Sequence, residues 1–116
     1  GYEIGRLLNV ETIFCERVDN KFVLRRDFRI NKKSNVLVVE DVITTGKSSL
    51  ECSEIVLENK ANIVGYACLI DRSKGKSSIK GKIVSQVELD IPTYTKENIP
   101  NNLSAIKAVK PGSRNL

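Results

Sequence analysis

The stretch that most limits what this chain can fold into is VLVVEDVITTGKSS, residues 36–49. It opens with Val36, Leu37, Val38 and Val39, an apolar run without alternation, the pattern of a strand covered on both faces in a parallel sheet with helices on each side. Glu40 and Asp41 follow at once, then a loop holding Thr44, Thr45, Gly46, Lys47, Ser48 and Ser49. Beyond the loop, Leu50, Ile55, Val56 and Leu57 supply an apolar stripe that predicts a helix over residues 48–59. Lys60, Ala61 and Asn62 break it, and residues 63–70, IVGYACLI, form a second long buried strand. Strand, helix and strand make one βαβ unit, so the fold class is α/β with a mainly parallel sheet flanked by helices. Ligands of open α/β sheets sit beyond the carboxyl ends of the strands, where residues 40–49 lie.

The loop has the parts of a phosphate site. Gly46 lets the backbone approach an anion closely, the hydroxyls of Thr44, Thr45, Ser48 and Ser49 can donate hydrogen bonds, and the helix that follows points its first N–H groups at a ligand. Two carboxylates just upstream would repel a phosphate, so Glu40 and Asp41 must face something else, either vicinal sugar hydroxyls or a divalent cation. A ribose 5-phosphate meets both demands. The nucleotide-binding loop G-x-x-x-x-G-K-[ST] shares Gly46, Lys47 and Ser48, but its first glycine would fall on Asp41.

The rest of the chain fits one small domain. Ile4, Leu7 and Leu8 predict a short amphipathic helix over residues 2–9, residues 12–15 read as a strand, and Val18, Asp19, Asn20 and Lys21 have turn chemistry. Residues 83–91 read as another strand region, after which Pro92, Pro100 and Pro111 punctuate an irregular tail. No apolar run approaches the roughly 20 residues of a membrane helix. The first residues lack the basic start and apolar stretch of a secretory signal, so a cytoplasmic setting is expected. With His 0, catalysis by a Ser-His-Asp triad or Cys-His dyad and zinc held by histidine are excluded. Cys15, Cys52 and Cys68 have neither CxxC spacing nor a disulfide framework and read as buried small apolar residues. The net charge of +5 is concentrated in residues 17–33 and 72–82, clusters that attract nucleic acid or phosphorylated small molecules alike.

VLVVEDVITTGKS resembles the thirteen-residue phosphoribosyl pyrophosphate (PRPP) motif of type I phosphoribosyltransferases, and its wording is most similar to the orotate enzymes of that family. Further segments share the resemblance: Gly1-Tyr2-Glu3, Phe14-Cys15-Glu16-Arg17, Leu24-Arg25-Arg26-Asp27-Phe28, Asp71-Arg72-Ser73 and Lys110-Pro111-Gly112-Ser113-Arg114. The resemblance implies a type I phosphoribosyltransferase core, incomplete at its N-terminus. Residues 1–116 would be the C-terminal part of a single domain, without the N-terminal hood and the pyrophosphate loop, and are not expected to turn over alone.

The implied PRPP site is Glu40, Asp41, Val42, Ile43, Thr44, Thr45, Gly46, Lys47 and Ser48, with the acids on the ribose hydroxyls and residues 44–48 around the 5-phosphate. Thr44 and Arg72 match the orotate contacts, and a guanidinium fork suits the carboxylate of orotate. Arg17 and Lys21 match catalytic positions in a mobile loop that closes over pyrophosphate, often from the second subunit of a homodimer, with Arg25 and Arg26 as weaker matches. Many orotate enzymes carry a Lys-x-His pattern there, which this histidine-free chain lacks. The resemblance implies transfer of ribose 5-phosphate from PRPP to orotate in pyrimidine synthesis, with Mg2+ bound mainly through PRPP and no metal held directly by protein. No membrane and no nucleic acid are expected as partners. Two alternatives remain: a non-catalytic PRPP-binding regulator that contacts nucleic acid through residues 17–33, and a purine phosphoribosyltransferase.

Overall fold

The computed structural model describes residues 1–25, 27–107 and 109. In chain order the elements are α1 (Tyr2–Leu8), β1 (Cys15–Val18), β2 (Lys21–Leu24), β3 (Asn35–Ile43), α2 (Lys47–Glu58), β4 (Asn62–Asp71), β5 (Ile83–Glu88), a 3-10 turn (Lys96–Asn98) and α3 (Asn101–Ser104). The parallel sheet has the order β3-β4-β5, with α2 as the crossover between its first two strands.

β1 and β2 form a separate antiparallel hairpin. Asp19 and Asn20 both adopt positive φ, 47° and 64°, as a two-residue turn matched to strand twist requires. That turn fixes the register, pairing Val18 with Lys21 and Cys15 with Leu24. The first hairpin strand therefore begins at Cys15, where the expectation placed a strand over residues 12–15; hairpin pairing overrides the β-propensity of Thr12 and Ile13.

One face of the sheet is packed. Val38, Tyr66, Cys68, Ile43 and Ile79 form the buried cluster, with Leu50 and Cys52 of α2 against it. The buried residues of α2 are Ser49, Ser53 and Val56. They recur at i, i+4 and i+7, so small side chains let the helix lie close to the strands. The expected stripe is corrected here: Leu57 is 59% exposed. The buried hydroxyls are satisfied. Ser53 Oγ donates to Ser49 O at 2.7 Å and lies 2.9 Å from Tyr66 Oη. A serine has one proton to give, so Tyr66 donates in the second contact.

The opposite face carries Leu37, Leu69 and Val84, which are 40%, 59% and 53% exposed. β3 is thus covered on one face, where its unalternating sequence led us to expect two. α1 differs in a similar way, since Gly5 is its buried residue while Leu7 and Leu8 lie exposed.

Candidate active site

The carboxyl ends of β3 and β4 run together. Ile43 pairs with Asp71, and Arg72 N donates to Ile43 O at 2.8 Å, so Thr44 and Arg72 leave the sheet as neighbours. From Thr44 the chain turns into α2 through Gly46, whose φ of 81° is left-handed. A Cβ there would also stand 2.7 Å from Ile79 Cγ1. Glycine is required twice over, by conformation and by space.

Backbone bonds hold the loop. Ser78 N donates to Thr45 O at 2.9 Å, Leu50 N donates to Gly46 O at 2.9 Å, and Thr45 Oγ1 accepts from Lys47 N at 3.3 Å. Gly46 occupies the N-cap of α2 and has no side chain to cap it, which suits an anion at this helix start. Thr44, Thr45 and Lys47 are exposed, Val42 and Ser48 are half-buried, and Ile43 is buried. Ile43 can therefore offer a ligand only its backbone.

The two acids part company. Glu40 is half-buried, and its Oε2 accepts a hydrogen bond from Ser49 Oγ, which turns it toward the start of α2. Asp41 is exposed, and its Oδ1 accepts from Val42 N at 2.8 Å. Both lie within β3, where successive side chains alternate between faces. Only Glu40 is thereby brought against the helix.

At the end of β4, Arg72 is half-buried and its Nε is buried without a hydrogen-bond partner. The adjacent Asp71 does not serve it; Asp71 Oδ1 accepts from Ser73 N at 2.7 Å. A buried guanidinium nitrogen lacking an acceptor is costly, and an anionic group beside Thr44 would relieve it.

The hairpin reaches the same helix. Arg17 Nη1 donates to Asn20 O at 2.7 Å, Nη2 donates to Glu51 Oε2 at 2.5 Å, and the guanidinium lies 4.2 Å from the centre of the Phe22 ring. Lys47 Nζ is 3.9 Å from the other Glu51 oxygen. Glu51 therefore links the hairpin to the start of α2, a role our sequence reading missed, although the Lys47/Glu51 spacing of four hinted at the second contact. Lys21 is exposed at the hairpin's tip, and Arg25 sits 5.3 Å from the Phe14 ring centre. Arg26 and residues 110–114 lie outside the described residues.

Among the described residues no group of three His, Cys, Asp or Glu could hold a metal ion, and no helix is long and apolar enough to cross a membrane. Burial pushes the thiols of Cys15, Cys52 and Cys68 up, Cys52 to about 12, so none is poised as a nucleophile at neutral pH. A groove lined by Leu50, Ile63, Tyr66, Lys80 and Lys82 opens by the amino-terminal part of β4, away from Thr44 and Arg72.

A model of the phosphoribosyl transferase domain matches residues 8–99. The chain belongs to that family. The phosphoribosyl transferase domain is similar to the orotate phosphoribosyltransferase of Parvibaculum lavamentivorans, 44% identical over 116 residues, which are 100% of this chain and 60% of that protein. It is also similar to the orotate phosphoribosyltransferase of Methylorubrum populi, 47% identical over 117 residues, again 100% and 60% of the two lengths. The chain thus spans about 60% of the length of the curated relatives it matches. Among solved structures, adenine phosphoribosyltransferase from Saccharomyces cerevisiae, complexed with D-2,5-dideoxy-2,5-imino-altritol 1,6-bisphosphate and adenine, superposes with a TM-score of 0.62 at 23% identity. That superposition covers 75% of this chain and 58% of the other, and it establishes a shared type I phosphoribosyltransferase core.

Proposed function

We propose that this chain supplies the sugar-phosphate and base-recognition half of an orotate phosphoribosyltransferase, which transfers ribose 5-phosphate from PRPP to N1 of orotate and releases pyrophosphate. One observation carries the reading: Arg72, with a buried Nε that has no acceptor, stands beside Thr44 at the mouth of the hydroxyl-lined loop. A carboxylate on the base would fill that position bidentately. A purine offers no carboxylate, and the names of the relatives support orotate over a purine or a nucleic-acid-binding regulator.

In this reading Thr44, Thr45, Gly46, Lys47 and Ser48 wrap the 5-phosphate at the start of α2. Glu40, oriented by Ser49, accepts from a ribose hydroxyl, and Asp41 joins it after leaving Val42 N. Breaking the bond at C1 puts positive charge on the ribose and negative charge on the leaving group, so fixed charge is what catalysis needs. Arg17 and Lys21 supply it when the hairpin closes over the diphosphate, which requires Arg17 to leave Glu51. Magnesium carried by PRPP would supply charge neutralisation for the departing diphosphate, with Arg17 and Lys21 as this chain's own contribution to the same charge. The assembly is a cytoplasmic homodimer in the same reading, and light scattering on the completed protein checks the dimer.

The decisive experiment joins this chain to the remaining length found in its relatives and follows orotate absorbance with PRPP and magnesium. Consumption is expected, with Arg72→Ala lowering kcat/KM for orotate at least about 100-fold through loss of a charge-assisted pair. No consumption by the parent protein would exclude orotate as the base.

A further inference from the structure

Glu51 meets a cation with each of its oxygens. Oε2 accepts from Arg17 Nη2 at 2.5 Å, and Oε1 lies 3.9 Å from Lys47 Nζ. The side chains of Glu51, Arg17 and Lys47 are 27%, 38% and 81% exposed, so the carboxylate is the fixed member and the cations come to it. Lys47 is the first residue of α2 and Glu51 lies about one turn further on, which sets Arg17 beside the end of the phosphate loop. Among the described residues this is the ion pair that ties the hairpin, a two-stranded sheet of its own, to the rest of the chain. The other contacts of Arg17, with Asn20 O and the Phe22 ring, lie within the hairpin and travel with it. Only the contact with Glu51 has to be given up when the hairpin moves.

We infer that Glu51 is a positioning residue: in the ligand-free chain it takes the place of a phosphoryl anion, holds Arg17 beside the loop, and yields it to the diphosphate of PRPP. The inference rests on the roles proposed above for Arg17 and Lys47. Its consequence is a competition. An Arg17 held at Glu51 is withheld from a diphosphate, so apparent affinity is the intrinsic one reduced by the fraction of chains in which Arg17 is free. An ion pair this exposed shifts that balance about twofold to fivefold. That suffices to set the hairpin's resting place, while charge-assisted bonds to a diphosphate are strong enough to reverse it.

The test has two arms. In the 116-residue chain, amide exchange over residues 16–24 should speed up about twofold to fivefold in Glu51→Gln and in Arg17→Gln, and no further in the double variant, because both changes break one contact. Exchange over residues 62–71 should stay as it is. Unchanged exchange in the hairpin, or faster exchange in both segments, would overturn the holding role. In the protein completed to its relatives' length, Glu51→Gln should lower KM for PRPP about twofold to fivefold, with the change falling on KM rather than on kcat. In an Arg17→Gln background the same substitution should leave KM where it is. A raised KM, a loss confined to kcat, or an equal effect in both backgrounds would show that Glu51 merely supports the helix. Exchange is read without PRPP or orotate, so failure of the hold is distinct from failure of the proposed transferase activity.

Discussion

The two faces of the sheet are built from similar residues and meet different fates. On one, Val38, Tyr66 and Cys68 are buried under α2, and the helix closes down because Ser49 and Ser53 are small. On the other, Leu37, Leu69 and Val84 remain open to solvent. The site belongs to the covered face: Glu40 meets Ser49 of α2, and Gly46 packs on Ile79 of the buried cluster. Packing on a single face is enough to place the loop, the first acid and the helix start, in a chain that spans about 60% of its relatives' length.

The sharpest way to break that arrangement is Gly46→Ala. A methyl group would meet Ile79 at 2.7 Å with the backbone at φ 81°, so the loop and the core beneath it must both shift. Strain and overpacking together should cost about 2–4 kcal/mol, read as a fall in the denaturant midpoint. An unchanged midpoint would mean that the loop is not seated on the core.

Next in size is a matched pair across the sheet. Val38→Ala removes buried methyls and should cost about 2 kcal/mol, whereas Leu69→Ala on the open face should stay within about 0.5 kcal/mol. Equal losses would show that something covers both faces in solution.

Much of this was legible in the sequence because it is local. The apolar residues 63–70 announce β4 to within a residue at each end, and the run Val36 to Val39 marks where β3 begins though not that it continues to Ile43. The Asp19-Asn20 turn marks the bend between β1 and β2, while the strand expected over residues 12–15 meets β1 only at Cys15. What hid was everything decided by distant partners. A run such as Val36 to Val39 reads the same whether one face is covered or two. Ser49 and Ser53 carry no hydrophobic signal, so the true inner stripe of α2 was invisible and Leu57 stood in for it. Adjacent Glu40 and Asp41 looked like one clasp, and only the extension of β3 to Ile43 shows that they alternate. The meeting of Arg17 with Glu51 joins residues 34 positions apart, beyond the reach of any spacing rule.

A smaller effect tests the hydroxyl pair under α2. Tyr66→Phe leaves the ring in place and removes the proton given to Ser53, which keeps its own bond to Ser49 O. The loss should be about 1 kcal/mol by chemical denaturation. Ser53→Ala together with Tyr66→Phe should cost less than the sum of the separate changes, because the two act on one bond.

The faintest signal, and the one most specific to the covered face, is a dependence on alkaline pH. Burial, then the neighbouring Cys15, Glu40 and Glu51, push the Cys52 thiol from its ordinary 9.0 up to about 12. Cys15 is also pushed up, chiefly by burial, and Arg17 is the cation facing this junction. Below pH 9 the thiol is protonated in both folded and unfolded chains, and its contribution is complete. Between 9 and 12 the unfolded chain releases the proton while the folded chain retains it, so stability falls as pH rises. Cys52 is partly exposed, and water screens the effect. The comparison is therefore between slopes: the midpoint of the parent chain should decline more steeply from pH 9 to 11 than that of Cys52→Ala, in the presence of a reductant. Parallel slopes would mean that α2 stands off the sheet at this position and that the covered face is looser than its geometry indicates.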